Sequence, residues 1–388
     1  MEEHRQTTNR DKTSFGYTCS HRLGWIGLSW FEEFGSRTLW KLWSACRGDG
    51  ERAWNIKTER LRLLGIREST VLSFTDWRKH IDIHACERRL CAEGIRFVLP
   101  SDNEYPDHLK TISDPPFALF CRGTHIPTVL SIGVVGTRAC TPYGLRAIRM
   151  IIPPLAEQGI PIISGLALGI DGSAHRCALE SGGSTVAVLG GGINDDSIYP
   201  RQHAGLAEAI LQKNGTIISE FPPGTQSLRF HFPLRNRIIA GLSRAILVIE
   251  ASEKSGSLIT ARLALEENRD VFTVPGPITS PVSSGNNMLL KFGAIPCTDA
   301  KDIFEHFEFS HERDPPLSDE PLDEDESSVL HTVDHPMYAD DILRAMNLTS
   351  PVLNRLLTQL EMKGMLAEEE PGIYALTGKA LRRIRSKN

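Results

Sequence analysis

The chain has 388 residues, which favours two or three domains at roughly 150 residues per domain. Its hydrophobic fraction of 40% and charged fraction of 23% exclude the collagen-like, mucin-like and wholly disordered classes. The net charge of -5 would disfavour nucleic-acid binding if it were spread evenly. Residues 311–328, however, contain eight acids and one base, so the remainder of the chain is mildly basic.

The eight cysteines form no C-x-x-C pair, and no histidine stands at a spacing typical of zinc ligands. We therefore expect free thiols and no metal site. The N-terminus lacks the apolar core of a signal peptide, and no run of 18 apolar residues occurs. These features predict a cytoplasmic protein with no membrane contact.

Residues 1–20 are polar and without pattern, and we expect no fixed structure there. In residues 21–92 the large apolar side chains recur at three- and four-residue steps, which predicts a small helical domain. Two interpretations of this domain stay open. It is either a DNA clamp of the SAM or helix-hairpin-helix type, or an ordinary helical domain whose tryptophans form the core, and we favour the second.

Residues 93–310 are predicted to form an α/β domain. The segment before Ser131 contains two short apolar runs, FVL and FALFCRG, that are typical of strands. Six β-branched runs then alternate with helix-length segments: SIGVVG, IPIISG, TVAVLG, TIISE, AILVIE and DVFTVP. Because parallel strands require crossover helices, this alternation predicts an extended Rossmann-like, doubly wound parallel sheet that ends near Phe307.

The acidic stretch 311–328 is predicted to be an extended linker because its charges repel one another. Residues 329–388 then predict a winged helix, with Ser350 and Pro351 at the start of its recognition helix. That helix contains both Arg355 and Glu361, so its charge is balanced. Duplex DNA binding, docking of a protein partner and a vestigial role all stay open.

Three predicted strands end in glycine-containing loops, which begin at Gly136, Gly165 and Gly190. In an open parallel sheet the loops at the carboxyl ends of the strands bind ligands, and their amides favour anions. The loops therefore predict a phosphate-bearing ligand. None of them matches G-x-G-x-x-G, so a dinucleotide is disfavoured and we expect no cofactor.

Residues 221–249 contain no acid but several arginines, which alternate with Phe230 and Phe232. Basic residues beside aromatic rings are typical of single-stranded nucleic-acid binding, in which guanidinium groups contact phosphates and bases stack on rings. The alternative is that the rings lie in the core and the arginines bridge helix ends. Four arginines without a neighbouring acid favour an anion site: Arg229, Arg235, Arg237 and Arg244.

Small hydroxyl residues at 255–257 precede a predicted helix, where they could cap it or bind a phosphate. Asp171 and His175 lie one helical turn apart and could form an acid/base pair, although structural roles are favoured. The sequence shows no Ser/His/Asp order and no Walker lysine. We therefore expect no catalytic residues.

Several motifs in fixed order resemble the DNA-processing protein A family, DprA or Smf. They are SGLALGIDGSAH (164–175), TVAVLGGG (185–192), FPLRNRIIAGLS (232–243), SGSLITARLALE (255–266) and VPGPI (274–278). The two flanking domains are similar to the helical and winged-helix domains of that family.

This resemblance implies a non-enzymatic, cytoplasmic protein that binds and protects incoming single-stranded DNA. It also implies a homodimer that helps to load a RecA-type recombinase during natural transformation. By motif match, the DNA would lie in a basic pocket at the carboxyl edge of the sheet. The residues expected to line or rim that pocket are Gly136, Thr137, Arg138, Ser164, Gly165, Arg229, Arg235, Asn236, Arg237, Lys254, Ser255, Gly256 and Ser257.

The sequence departs from the family pattern in three places. Leu168 stands where many relatives have arginine, Asp195 and Asp196 add negative charge near the expected phosphate site, and Pro153-Pro154 predicts a helix break after Ile152. The competing class is a nucleotide phosphoribohydrolase with a similar core. Its P-G-G-x-G-T-x-x-E loop corresponds here to SGSLITAR, which lacks the glutamate, so hydrolysis is disfavoured.

Overall fold

The computed structural model describes residues 19–128, 130–308, 322–346, 348–377 and 380. Most of the predicted unstructured segment 1–20 and of the predicted linker therefore lies outside the described residues. In the ranges that are described, no helix is both long enough and apolar enough to cross a membrane.

The N-terminal part is helical, as predicted. Its core contains Trp25, which is 1% exposed, and Phe74, and the other tryptophans pack around that core. The interpretation of the tryptophans as core residues is therefore confirmed. The helices are α1 (Cys19–Ser29), α2 (Ser36–Cys46), α3 (Gly50–Trp54), α4 (Thr58–Leu63), α5 (Glu68–His80) and α6 (Ile83–Ala92).

A mostly parallel sheet follows. Its strands are β1 (Arg96–Val98), β2 (Leu119–Gly123), β3 (Ile132–Val135), β4 (Ile162–Ser164), β5 (Thr185–Val188), β6 (Thr216–Ser219), β7 (Ala245–Val248), β8 (Asp270–Thr273) and β9 (Ile295–Pro296). Their spatial order is β1-β2-β6-β5-β4-β3-β7-β8-β9. All six predicted β-branched runs form strands, and β3 to β9 pair in parallel. The two earlier runs form β1 and β2, which pair antiparallel at one edge.

Helices cover both faces of the sheet, which confirms the doubly wound prediction. They are α7 (Asp107–Lys110), α8 (Pro142–Glu157), α9 (Ile170–Glu180), α10 (Ala204–Gln212), α11 (His231–Leu242), α12 (Ser257–Glu266), α13 (Ser284–Lys291) and α14 (Ala300–His306). Neighbouring residues of one strand contribute to different cores: Val134 packs in the cluster with α8 and α9, and Val135 in the cluster with α11 and α12. Strands buried on both faces require continuous apolar runs, and this requirement made them recognisable in the sequence.

The predicted break in α8 is wrong. The helix continues from Pro142 to Glu157 with Pro153 and Pro154 inside it. Both prolines lie in its last two turns, and apolar residues on either side of them, including Ile152 and Leu155, are fully buried. Burial of this face stabilises the helix against the lost backbone hydrogen bonds.

The helical domain packs directly on the β1–β2 end of the sheet. The ring centroids of Trp25 and Phe117 lie 4.9 Å apart, and those of Trp30 and Phe120 lie 5.5 Å apart. The carboxylate of Asp102 accepts hydrogen bonds from Arg22 at 2.7 Å. The helical domain and the sheet therefore share one hydrophobic core.

The C-terminal part is a winged helix, as predicted, with a three-stranded antiparallel sheet of order β10-β12-β11. Its elements are α15 (Glu324–Thr332), β10 (Met337–Tyr338), α16 (Ala339–Met346), α17 (Ser350–Met362), β11 (Leu366–Glu370) and β12 (Ile373–Leu376).

The boundary predicted between linker and winged helix is too late, because α15 begins at Glu324, inside the acidic stretch. Asp323 and Glu326 form a reciprocal capping box at its N-terminus. Carboxylates there satisfy free backbone amides and oppose the positive end of the helix dipole, so the acids start this helix. Glu326 is 1% exposed and binds Lys363 of α17 at 2.6 Å.

The cysteines follow the prediction of free thiols in the described part of the chain. Seven of them form no disulfide bond: Cys46, Cys86, Cys91, Cys121, Cys140, Cys177 and Cys297.

Candidate nucleic-acid interface

The loops that follow β3, β4 and β7 meet at the carboxyl edge of the sheet. The amide of Thr137 donates to the Glu250 carbonyl at 2.8 Å, and the amide of Ile170 donates to the Thr137 carbonyl at 3.2 Å. Gly136, Thr137, Ser164 and Gly165 therefore lie together at the edge where the sequence places them. Ser164 itself is buried, since its hydroxyl donates to the Val134 carbonyl at 2.6 Å.

Gly165 makes room for an arginine of α11. A Cβ atom on Gly165 would lie 2.0 Å from Nη1 of Arg235, a distance that no real side chain tolerates. This glycine is required for packing between the β4 loop and α11. Its amide donates to Oδ2 of Asp171 at 3.1 Å, so Asp171 occupies the position at this amide that we expected a phosphate to take.

Arg235 is 4% exposed, and its guanidinium donates to the Val188 carbonyl. Burial lowers the pKa of Arg235 to about 10, against the opposing effect of Asp171. Burial likewise raises the pKa of Asp171, and the positive charge of Arg235 opposes that increase. Both groups are buried beneath the β4 loop, where Arg235 donates to the Val188 carbonyl and Asp171 accepts from the Gly165 amide. The prediction that Arg235 contacts phosphate is therefore revised: it positions the loop from below.

Arg237 requires a larger correction. It is 9% exposed; its guanidinium forms an ion pair with Glu220, and Nη1 donates to the Asp114 carbonyl at 2.6 Å. Burial raises the pKa of Glu220, and Arg237 opposes that shift. Oε2 of Glu220 also accepts a hydrogen bond from the Ser36 hydroxyl of α2 at 3.1 Å. Arg237 thus joins the helical domain to the sheet and is not available to a ligand. Asn236, between the two arginines, is half-buried.

The basic side chains exposed at this edge are those of the loops. Arg138, Arg229 and Lys254 are exposed, and no carboxylate among the described residues forms an ion pair with any of them. The guanidinium carbon of Arg138 lies 5.4 Å from the centre of the Phe232 ring, within cation–π distance. These three side chains are therefore the exposed cations among the residues that the sequence predicts at this edge.

Aromatic rings lie beside these cations. The Phe232 ring is 5.8 Å from that of Tyr199, and Phe230 is 62% exposed. The sequence singled out both phenylalanines but missed Tyr199, which is 50% exposed and follows the β5 loop. Its position after a glycine-containing loop at the same sheet edge was the available signal.

Ser255, Gly256 and Ser257 lie at the N-terminus of α12, as predicted. The two serine hydroxyls are 2.7 Å apart, and the amide of Ser257 donates to the Ser255 hydroxyl at 3.4 Å. Ser257 is buried, whereas Ser255 is half-buried and Gly256 is exposed. The N-cap position itself is Gly256, so no side chain caps the helix there, and Ser255 only accepts from the first helical amide.

Glu250 is a buried residue at this edge to which the sequence reasoning gave no structural role. It is 1% exposed, and its carboxylate accepts hydrogen bonds from the amide of Thr141 at 2.9 Å and from the Thr141 hydroxyl. The N-terminus of α8 is the position where dinucleotide-binding folds bind pyrophosphate. Here an internal carboxylate binds that amide. A glutamate that ends the otherwise apolar run AILVIE was the available signal.

Asp171 and His175 do not form an acid/base pair in a cleft. His175 is fully buried, and its Nδ1 is 2.6 Å from the Thr185 hydroxyl. Burial lowers the pKa of His175 to about 3, so the ring is neutral near pH 7. Both residues support the interior of the β4–α9 unit. Across the described ranges, no group of three or more histidine, cysteine or acidic side chains is arranged to bind a metal ion.

The structure shows the surroundings of the residues that depart from the family pattern. Leu168 is 38% exposed in the loop before α9. Asp195 binds Arg122 of β2 at 2.6 Å, so its charge is balanced within the protein. Asp196 is exposed. In the loop that corresponds to the phosphoribohydrolase motif, Arg262 is exposed on α12 and supplies no general acid or base.

Comparisons with known proteins identify the family of the sheet domain and of the winged helix. Residues 96–308 match the family model for DNA recombination-mediator protein A, and residues 313–372 match that for the DprA winged helix domain. Protein Smf of Escherichia coli is 48% identical over 214 residues, which cover 55% of this chain and 57% of that protein. DNA processing protein DprA of Bacillus subtilis is 43% identical over 215 residues, or 55% of this chain and 71% of that protein.

A solved structure extends the similarity beyond the sheet. The X-ray structure of DNA processing protein A from Streptococcus pneumoniae aligns with a TM-score of 0.63 at 36% identity, covering 73% of this chain and 96% of that one. The chain therefore belongs to the DNA recombination-mediator protein A family.

Proposed function

We propose that the protein binds single-stranded DNA at the carboxyl edge of the sheet and makes or breaks no covalent bond there. The exposed guanidinium of Arg138 over the Phe232 ring is the observation on which this proposal depends. A cation with no carboxylate partner contacts phosphates, and neighbouring rings stack on unpaired bases, at about 1 to 3 kcal/mol per base. Duplex bases are already stacked and do not offer these faces.

The proposed site consists of exposed loop residues supported by buried ones. Arg138, Arg229, Lys254 and the hydroxyl of Ser255 contact the phosphodiester backbone. Phe230, Phe232 and Tyr199 contact bases. The other predicted residues shape these loops: Ser164, Gly165, Arg235 and Ser257 are buried, Gly136, Thr137 and Asn236 are half-buried, and Gly256 is exposed.

The described acids at this edge are not arranged as a general acid or base for catalysis. In the described part of the edge, the acids Asp171 and Glu250 are buried and are bound by loop amides, so they are not positioned to activate a water molecule. This supports a binding protein over the phosphoribohydrolase alternative.

The family membership extends the proposal to partners. We infer that the protein forms a homodimer and that it helps a RecA-type recombinase to assemble on the bound strand during natural transformation. Light scattering should give twice the chain mass. Recombinase assembly on single-stranded DNA should be faster with this protein than without it, and the Arg138→Gln variant should remove that increase.

The direct test replaces Arg138 with Gln, which keeps a polar side chain and removes its charge. Affinity for an oligonucleotide of about 40 residues should fall about tenfold, because one charge-assisted contact and one cation–π support are lost. The dependence of log affinity on log salt should fall by about 0.7. Fluorescence anisotropy across a salt series measures both quantities.

Lys213→Gln is the matched control, since Lys213 is exposed just before β6, at the opposite edge of the sheet. Its affinity should equal that of the wild type. Equal affinities for the Arg138→Gln variant and the wild type would contradict the proposed site.

A further inference from the structure

A second basic surface lies in the helical domain, apart from the loops of the sheet edge. The C-terminus of α2 and the segment of α3 and α4 enclose a cavity of about 780 Å3. Four of its lining residues are basic and one is acidic: Arg47, Arg52, Lys57, Arg60 and Glu59. We name this cavity the helical-domain groove.

The basic side chains of the groove remain accessible. Arg47 and Lys57 are exposed, and no described carboxylate forms an ion pair with either. Arg52 binds Asp49 at 3.2 Å but is 72% exposed, and Arg60 uses one nitrogen to donate to the Ala45 carbonyl at 3.1 Å. Glu59 and Asp49 offset only part of this charge, so the groove keeps a net positive potential.

The groove does not act as a helix-hairpin-helix clamp through turn amides. The amide of Gly48 donates to the Trp43 carbonyl, and that of Gly65 donates to the Arg62 carbonyl, both at 2.9 Å. Because these amides already have partners, an anion in the groove would be bound by side chains. Arg47, in the left-handed conformation at the C-cap of α2 (φ 55°), is one of those side chains.

The groove opens toward the proposed DNA edge. An adjoining cavity of about 470 Å3 shares Arg47 and Arg52 with it and extends to Leu99 and Ser101, which follow β1. Since β1 is antiparallel to β2 and β2 to β6, the end of β1 lies at the same sheet edge as the glycine loops. Four strand spacings separate β1 from β4, or about 19 Å at about 4.8 Å each.

We propose that the helical-domain groove is a second binding site for a nucleic-acid phosphate backbone. Because the groove opens at the same edge of the sheet, we expect it to bind a further part of the single-stranded DNA that is bound at the sheet. A DNA duplex next to that single strand would present the same phosphate groups. The proposal goes beyond the function assigned to the sheet edge, because it concerns different residues on different elements.

The test compares two double variants of the full chain. R47N/K57Q removes two groove charges, and asparagine suits the left-handed conformation at position 47. R62Q/K79Q removes two charges of the same domain outside the groove, where Arg62 binds Glu68 at 2.7 Å and Lys79 binds Asp76 at 3.4 Å. The probes are oligothymidylates of about 6 and about 40 residues and a duplex of about 40 base pairs.

For R47N/K57Q we expect weaker binding of the long strand or of the duplex and unchanged binding of the short strand. Loss of two phosphate contacts should lower the salt dependence by about 1.4 for the single strand, which is about a sevenfold difference between about 50 and 200 mM salt, or by about 1.8 for the duplex. The probe whose salt dependence falls shows whether the groove binds single-stranded DNA or duplex DNA. R62Q/K79Q should match the wild type with every probe.

Two outcomes overturn the proposal: unchanged binding of both long probes, or equal weakening of the short and long strands. The result is separable from that for the sheet edge, because Arg138→Gln should weaken the short strand while R47N/K57Q does not. Thermal unfolding of each variant, compared with the wild type, identifies any loss of folded protein.

Discussion

The arginines of α11 and the cations of the surrounding loops are the same kind of residue in opposite environments. Arg235 and Arg237 are both buried: Arg235 donates to the Val188 carbonyl, and Arg237 forms an ion pair with Glu220. Arg138, in the loop after β3, is exposed and lies over the ring of Phe232. Among the described residues it forms no ion pair with a carboxylate. The comparison shows that a run of basic residues does not define a binding surface. The burial of each basic side chain and the groups that it contacts decide whether that side chain is available to a ligand.

The sharpest way to break this comparison is to replace Arg237 with Ala. The change leaves Glu220 buried without its cationic partner, with only the Ser36 hydroxyl still donating to it. We expect the free energy of unfolding to fall by about 3 to 5 kcal/mol, as measured by urea denaturation. The folded fraction should bind single-stranded DNA as the wild type does. A stable variant with weakened DNA binding would restore Arg237 to the DNA site.

A second prediction concerns pH and the buried His175. Its folded-state pKa of about 3 lies below the usual value of 6.5, so only the unfolded chain binds a proton between these values. The stabilising contribution is present above pH 6.5 and is lost as the pH falls toward 3. At pH 5.5 the loss should be about 1.4 kcal/mol relative to pH 7.5 or above.

Urea unfolding of the wild type and of His175→Gln at pH 7.5 and 5.5 isolates this contribution. The variant should lose less stability between the two pH values, because it has no imidazole to titrate. Equal losses in the two proteins would show that His175 does not contribute.

The smallest expected effect is that of Lys254→Gln. Lys254 is exposed at the rim of the site, and rim charges contribute about 0.2 to 1 kcal/mol. Affinity for single-stranded DNA should fall about 1.4- to fivefold at low salt and should match the wild type at high salt. An effect that persists at high salt would place Lys254 inside the site.

The strands and the sheet edge could be predicted because a doubly buried parallel strand needs a continuous apolar run, and such a run is visible in the sequence. The partners of the α11 arginines could not be predicted in the same way. Glu220 and Asp114 lie far from Arg237 along the chain or in other elements, and Glu250 reaches Thr141 across more than a hundred residues. Only the folded sheet brings these groups together.

The C-terminal acids show a related limit. A composition rule describes 311–328 as an extended linker, whereas the positions of Asp323 and Glu326 relative to the helix start determine the structure there. Spacing across one helical turn was the better guide than charge density.

The carboxylate of Glu250 at the N-terminus of α8 has a consequence for how a polynucleotide is received. Because the protein supplies its own anion there, the loop after β3 has its shape in the absence of any ligand. The conformational entropy of ordering Arg138 and its neighbours is thus largely lost during folding. Association can then proceed on a ready-made surface, and a smaller entropic penalty remains at the moment of contact.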